Sequence, residues 1–113
     1  MPARSLGRLR KGREFDRVYS EGTVHNGPLF VVRAVPNGLA HCRWGFAVGK
    51  KLAPKAVVRN RTRRRLREGA RAWAIAGGWD IVVTARGRVL ESGFSEICAE
   101  LARLGARIGA MEQ

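Results

Sequence analysis

The stretch that decides the fold is KAVVRNRTRRRLREGAR, residues 55–71. At about 100° per residue, five apolar or small side chains of this stretch and the residues just after it fall within about 80° of arc, a narrow stripe suited to packing on a sheet. Pro54 suits the first turn of a helix and Gly77–Gly78 suit its end, so we predict one helix from about Pro54 to Ala76. The residues of the stripe are Val58, Thr62, Leu66, Gly69 and Trp73.

The same segment is strongly basic, with eight Lys or Arg residues and one acid, Glu68. A solvated charged face normally mixes signs, because like charges four residues apart destabilise a helix by about 0.2–0.5 kcal/mol per pair. Here Arg59, Arg63, Arg67 and Arg71 advance in such steps of four. Since a polyanion would neutralise them, we interpret the helix as a nucleic-acid contact rather than as a merely solvated face.

The composition of the whole chain points the same way. Its 113 residues suit a single domain, and 22 Lys or Arg residues against 9 acids give a net charge of +13. The charge is uneven, with +14 in residues 1–76 and −1 in residues 77–113. Arg outnumbers Lys by 18 to 4, which favours bidentate phosphate binding and stacking on bases. We therefore expect a polyanionic partner.

Several classes of protein are not indicated. No apolar run approaches the about 20 residues that span a bilayer, and the basic N-terminus lacks the apolar core of a secretory signal. An organelle transit peptide is a competing interpretation of residues 1–11, which we set aside because they run straight into a periodic helix. Cys42 and Cys98 stand far apart, so reduced, buried thiols in a cytoplasmic protein are favoured over a disulfide or a zinc site.

The first predicted helix, residues 12–21, places Phe15, Val18 and Tyr19 on one face. In a basic protein, exposed aromatic rings on this helix, together with Phe30 on the following strand, would stack on unpaired bases, worth about 1–3 kcal/mol per base. Spacing alone favours the simpler interpretation that these rings belong to the core, because one face of the helix must cover a sheet.

The strands are predicted from β-formers and turn signals. We expect residues 29–35 and 41–48 to pair as a hairpin, and residues 79–85, apolar on both faces, to form a central strand. Another short strand is expected near residues 23–26. A closing amphipathic helix is predicted from Phe94, Ile97, Leu101, Leu104 and Ile108.

The order α-β-β-β-α-β-α predicts an α+β fold, a small mixed sheet of about four strands packed with helices. We expect residues 1–113 to form a single RNA-binding domain, in which residues 1–11 are a flexible basic arm.

Catalysis by the protein's own side chains is not indicated. A protein nuclease needs a pair of histidines, a metal-binding carboxylate cluster or a Ser-His-Asp set. The two histidines, His25 and His41, stand isolated, and the basic half of the chain has four acids and no Gly-rich phosphate loop. An alternative hypothesis is that the protein is itself a metal-independent nuclease that uses His25 and His41. Cleavage by RNA-free protein would support it.

The motifs become specific at the basic helix. Four ordered segments closely resemble the protein subunit of bacterial ribonuclease P and together cover most of the chain. A small basic ribosomal-type RNA-binding protein is the alternative for such a composition, and the order of the motifs favours the ribonuclease P family. The segments are Arg8-Leu9-Arg10; Phe15 with Tyr19; Lys50-Lys51 with Lys55–Arg61, Arg63-Arg64 and Arg67-Glu68; and Trp79–Arg86.

The resemblance implies a division of labour. In this family a large catalytic RNA uses bound magnesium to cut the 5′ leader from precursor tRNA, and the protein enhances the affinity for substrate and magnesium. It implies that this chain carries no catalytic residue, metal or small-molecule cofactor of its own, and that it works in the cytoplasm without a membrane partner. It also implies a β-α-β crossover of unusual left hand through the basic helix, a ribosomal S5 domain 2-like arrangement.

The resemblance also assigns residues to the two RNAs. It places the leader in a cleft between the first helix and the sheet, which reverses the core interpretation of the helix aromatics. Two residues depart from the family pattern: Gly49 stands where Ser is often found, and Arg33 stands where an aromatic is often found. The contacts to the catalytic RNA are expected from Lys55, Arg59, Asn60, Arg61, Arg63, Arg64 and Arg67. The contacts to the leader are expected from Phe15, Tyr19, Phe30, Arg33, Lys50 and Lys51.

Overall fold

The computed structural model describes residues 7–10, 12–71 and 78–112. The predicted order of helices and strands is confirmed, with a two-residue strand added at the start and a 3-10 helix added before the last helix. None of the described helices has the length and the apolar content to cross a membrane. In chain order the elements are β1 (Gly7–Arg8), α1 (Gly12–Glu21), β2 (Thr23–Asn26), β3 (Phe30–Pro36), β4 (Arg43–Ala47), α2 (Ala56–Arg71), β5 (Trp79–Ala85), the 3-10 helix (Gly87–Glu91) and α3 (Phe94–Glu112).

The strands form one mixed sheet in the order β1-β4-β5-β3-β2. The hairpin predicted between residues 29–35 and 41–48, which are β3 and β4, is wrong. The strand β5 lies between them, antiparallel to β3 and parallel to β4. Six of the seven residues of β5 are buried, so the strand is most stable where both of its faces are covered. Because β5 separates β3 from β4, these two strands lie two inter-strand distances apart, about 10 Å, and the loop at residues 37–42 spans that gap.

Helices cover both faces of the sheet. The stripe predicted on α2 is confirmed: Thr62, Leu66 and Gly69 are buried, whereas Trp73 lies outside the described residues. A β-carbon on Gly69 would stand 2.8 Å from Leu101 Cδ1, so the glycine allows α2 to approach α3 closely. The other face of the sheet is covered by α1, whose Val18 is completely buried.

The structure describes part of the N-terminal segment. Residues 7–10 of the predicted arm lie against the sheet: β1 pairs in parallel with β4, and the Leu9 amide donates a hydrogen bond to the Trp44 carbonyl at 3.0 Å. Leu9 is buried beside α1, so the hydrophobic effect helps to hold this short edge strand in place. The remainder of the predicted arm, residues 1–6 and 11, lies outside the described residues. On α3 the predicted stripe is buried except for Phe94, which is exposed.

A charge cluster attaches α1 to the sheet. Asp80 on β5 is almost completely buried and accepts two hydrogen bonds from Arg43, at 2.8 and 2.7 Å, and one from Asn37, at 2.9 Å. From α1, Arg17 lies 3.9 Å from Asp80 and Glu14 lies 3.6 Å from Arg43. Burial acts to raise the pKa of Asp80, but the hydrogen bonds from Arg43 and Asn37 and the nearby positive charges lower it below its usual value.

Candidate nucleic-acid interface

The face of α2 that points away from the sheet is basic. We call Val57, Asn60, Arg61 and Arg64 the outer α2 surface; all four are exposed and they line a common concavity. Arg61 and Arg64 form no hydrogen bond or ion pair with any residue that the structure describes. Their guanidinium groups are therefore available to an external anion.

Two further arginines of the predicted RNA-binding set bond within the protein. Arg59 donates hydrogen bonds to the carbonyls of Ala53 and Pro54, at 2.9 and 2.8 Å, and so holds the loop that leads into α2. Arg63 donates to Asn60 Oδ1 at 2.6 Å and fixes the orientation of that amide. Both arginines are half-buried, so each also retains a partly accessible side chain.

Arg67 has a different environment from Arg61 and Arg64. Its guanidinium carbon lies 5.0 Å from the centre of the Phe46 ring, a cation–π contact at the edge of the core. Burial lowers the pKa of Arg67, and the positive charges of Arg8 and Arg71 lower it further. A phosphate bound at this point would relieve that repulsion, because it brings the missing negative charge.

Acidic residues do little to neutralise α2. Its first turn contains no acid, although acids are favoured at that end of a helix. Glu68 lies 3.6 Å from Arg71, one turn after the arginines of the outer α2 surface. Lys55 stands exposed just before the helix, so the first two turns present positive charge alone.

On the opposite side of the sheet, α1 leaves one row of residues uncovered. In this open strip Ala47 pairs with Thr84, Thr84 with Val31, and Val31 with Asn26, across four strands. The first three are half-buried and Asn26 is exposed, whereas Val82 in the neighbouring row is completely buried under α1. The open strip is therefore a small-residue surface beside a helix.

Aromatic and cationic side chains border the open strip. Tyr19 on α1 is 46% exposed, and the Arg33 guanidinium carbon lies 5.2 Å from the centre of its ring. One turn earlier, the half-buried Phe15 packs on Gly45 of β4. The helix face is therefore divided: Val18 belongs to the core, and Tyr19 presents a ring to the exterior.

Phe30 is not at this surface, and its prediction as a leader contact is wrong in this structure. It is completely buried in the cluster that faces α2 and α3. Alternation along a strand could have identified the error, because residues three apart point to opposite faces of a sheet. Arg33 and Phe30 could not both reach the same RNA from β3.

Three more basic residues lie at the same end of the sheet as the open strip. Lys50 and Lys51 are exposed in the turn that follows β4. Arg86, which was not among the predicted contacts, follows β5 and donates a hydrogen bond to Asn26 Oδ1 at 3.1 Å. The signal for Arg86 was its position directly after a buried strand, next to the end of the open strip.

The two histidines lie on separate elements. His25 on β2 is buried, with its Nε2 3.0 Å from Thr23 Oγ1. Burial lowers the pKa of His25, and the charge of Arg107 lowers it further, so the ring is neutral at pH 7. His41 lies exposed in the loop between β3 and β4.

Comparison with known proteins identifies relatives of this chain. The family model described as Ribonuclease P matches residues 4–109. The ribonuclease P protein component of Dehalococcoides mccartyi is 42% identical over 97 residues, covering 86% of this chain and 77% of that protein. The corresponding protein of Roseiflexus castenholzii is 40% identical over 108 residues, covering 93% and 88%.

Solved structures show the same fold. The ribonuclease P protein of Thermotoga maritima aligns with a TM-score of 0.80 at 34% identity, covering 88% of this chain and 96% of that one. The Staphylococcus aureus protein aligns with a TM-score of 0.79 at 30% identity, covering 92% and 95%. These alignments confirm the predicted fold class and the order of its elements.

Proposed function

The chain belongs to the ribonuclease P protein family, and from that premise we propose that its two surfaces bind two different RNAs. The family's enzyme is the ribonucleoprotein that processes the 5′ ends of tRNAs, and binding of RNA and precursor tRNA is the family's role. The observation that carries the proposal is that α2 and α1 cover opposite faces of one sheet. Two RNA segments can therefore contact the protein at once without competing.

We assign the catalytic RNA to α2. Arg61 and Arg64 supply exposed guanidinium groups for phosphates, and Lys55 adds charge at the start of the helix. Arg59, Arg63 and Arg67 contribute partly accessible guanidinium groups, although each also bonds or stacks within the protein. Asn60 contributes its amide. Their combined charge favours binding to a densely charged, folded RNA.

We assign the single-stranded 5′ leader to the open strip beside α1. Tyr19 and Phe15 offer ring surface for stacking, and Arg33 can stack on a base while it stays against Tyr19. Lys50 and Lys51, exposed in the turn that follows β4, add positive charge for the phosphates of such a strand. A narrow strip of small residues suits an unpaired strand better than a duplex, because a duplex cannot splay its bases onto the rings.

The proposal leaves magnesium on the RNA. The side chains around the open strip do not fit a magnesium ion, which prefers carboxylate oxygens and water. Asp80 and Glu14, the acids of the charge cluster between α1 and the sheet, are both bonded or paired to Arg43. No group of three or more His, Cys, Asp or Glu residues that could hold a metal occurs in the described part of the chain. The protein's contribution is positive charge that lowers repulsion between the two RNAs.

The test is cleavage of precursor tRNA by RNA alone, by protein alone and by both, across magnesium concentrations. We expect the protein to lower the magnesium concentration that RNA requires and to strengthen binding of precursor more than of mature tRNA. Cleavage by the protein alone would assign the chemistry to this chain and overturn the proposal. Because the relatives are bacterial proteins, we infer that this reaction takes place in the cytoplasm.

A further inference from the structure

Val57 is the most exposed large hydrophobic residue in the described part of the chain, with 73% of its surface accessible. It lies in the first turn of α2, and its neighbour Val58 is half-buried against the core. A single exposed valine is ordinary on a protein surface. This one is set among the cationic side chains of the outer α2 surface, where a phosphate would gain nothing from it.

The valine forms part of a defined concavity. Val57, Asn60, Arg61 and Arg64 line a space of about 220 Å³. This is smaller than the about 300–1,000 Å³ of pockets that hold drug-sized ligands. Asn60 is held in place by the hydrogen bond from Arg63 to its Oδ1, which leaves its Nδ2 hydrogens directed elsewhere. The concavity thus combines one apolar side chain, two guanidinium groups and an amide donor.

We propose that this concavity receives one unpaired base of the catalytic RNA, with the face of the base against Val57. Arg61 and Arg64 flank the base and contact the adjoining phosphates, and Asn60 Nδ2 donates to an acceptor on the edge of the base. The inference rests on the proposed function, because it takes the outer α2 surface to be the site of that RNA. The arginines alone would contact only phosphates; the inference adds a contact to a base.

The chemistry of the concavity favours an unpaired base over other occupants. RNA is read mainly at unpaired bases, which stack on flat side chains and use their edges for hydrogen bonds. An RNA duplex would present phosphates and hydroxyl groups to the helix and leave Val57 without an apolar partner. A second copy of this chain would bring the same positive charge against Arg61 and Arg64 and be repelled.

The experiment measures the affinity of the full-length protein for the catalytic RNA as a function of salt. Val57→Ser should weaken binding about tenfold, the loss expected when a valine no longer buries its side chain. The slope of log affinity against log salt should stay unchanged, because every phosphate remains bound. Val57→Leu should bind like the wild type. Val24→Ser, at a residue that is 50% exposed on β2, is the matched control and should have no effect.

Chemical probing of unpaired bases supplies the second measurement. One base of the catalytic RNA should be protected by the wild-type protein and by Val57→Leu, and become reactive with Val57→Ser. Unchanged affinity for Val57→Ser, or a weakened affinity with no base losing protection, overturns the inference. The double variant Arg61→Ala with Arg64→Ala distinguishes failure of the base contact at Val57 from failure of the assignment of the catalytic RNA to α2. If that pair weakens binding and Val57→Ser does not, the inference alone fails; if neither weakens binding, the assignment of the catalytic RNA to α2 fails as well.

Discussion

Gly45 lies directly beneath the ring of Phe15: a β-carbon on Gly45 would stand 2.5 Å from Phe15 Cε1 and 2.6 Å from Cζ. No side chain fits between the strand and the ring. The glycine therefore sets how closely α1 approaches β4, and through the helix it sets where Tyr19 stands, one turn further along, against Arg33.

Gly45→Ala is expected to displace Phe15 and loosen α1. Overpacking of this kind costs about 1–3 kcal/mol of folding stability. The preference for precursor over mature tRNA should fall as well, because Tyr19 moves with the helix. Thermal melts and affinities for both tRNAs measure the two effects. Gly49→Ala is the control, since a β-carbon there meets nothing within 4 Å; equal behaviour of the two variants would show that the ring does not depend on the glycine.

Tyr19→Ala should weaken binding of precursor tRNA by about 1–3 kcal/mol for each base that loses its stacking partner. Mature tRNA lacks the leader, so its affinity should hardly change. Phe94→Ala is a matched control, because Phe94 has the same 46% exposure as Tyr19 and lies on α3, away from the open strip. Equal losses for precursor and mature tRNA would remove the leader from this strip.

Arg61→Ala with Arg64→Ala should weaken binding to the catalytic RNA and make its salt dependence shallower. Each phosphate that the protein no longer neutralises lowers the log–log slope by roughly 0.7–0.9. The melting temperature should stay near that of the wild type, because neither side chain bonds to a described residue. Arg88→Ala, at an exposed arginine of the 3-10 helix, is the control. An unchanged slope would place the outer α2 surface in solvent.

Asp80→Asn should lower the free energy of unfolding at pH 7 by about 3 kcal/mol, the lower end of the range for a broken buried ion pair, because Arg43 is partly exposed. The acid dependence follows from the lowered pKa of Asp80. As pH falls, the unfolded chain takes up this proton first, near the ordinary value of 3.8, so the wild type loses stability from there down through the folded pKa.

Denaturant unfolding at pH 7 and at about pH 3 tests this prediction. The variant should lose less stability than the wild type between the two pH values, because residue 80 no longer titrates. Glu21→Gln, which removes the exposed pair with Arg17 at 3.8 Å, should leave stability nearly unchanged. An identical acid loss in wild type and Asp80→Asn would exclude Asp80 as the titrating group.

His25→Gln with His41→Ala should leave the rate of precursor cleavage by the RNA–protein complex within a few-fold of the wild type. A general base contributes about 10²–10⁴ in rate, so the two outcomes are well separated. Single-turnover cleavage at saturating protein is the appropriate measurement. A thousand-fold loss in a folded variant would revive the hypothesis that the protein itself is the nuclease.

Much of the fold could be predicted because most elements have a clear period. The spacing of Leu66 and its neighbours identified α2 and the face it buries. Strand pairing could not be predicted in the same way. The turn signals at residues 37–42 indicate a chain reversal, but they do not show whether another strand enters the gap. Only the double-sided burial of β5 indicated a central position, and it did not say between which strands.

The candidate site was predictable to a similar degree. Composition and the like-charge spacing located the basic helix, because like charges four residues apart can be read directly from a sequence. They did not separate Arg61, which is exposed, from Arg59, which bonds to the carbonyls of the preceding loop. Nor did spacing show that Tyr19 is exposed while Val18 is buried, because that depends on how α1 crosses the sheet.

The position of β5 between β3 and β4 has a consequence for how the protein is made. Synthesis proceeds from the N-terminus, so both flanking strands and the basic helix leave the ribosome before the strand that joins them. Until about residue 85 has emerged, the pairs β2–β3 and β1–β4 have no strand to join them, and Leu66 lacks the complete core that it enters in the folded protein. Pairings so distant along the chain form slowly. A nascent chain therefore exposes its basic segment to cellular RNA before it has folded. Binding of that RNA competes with completion of the sheet.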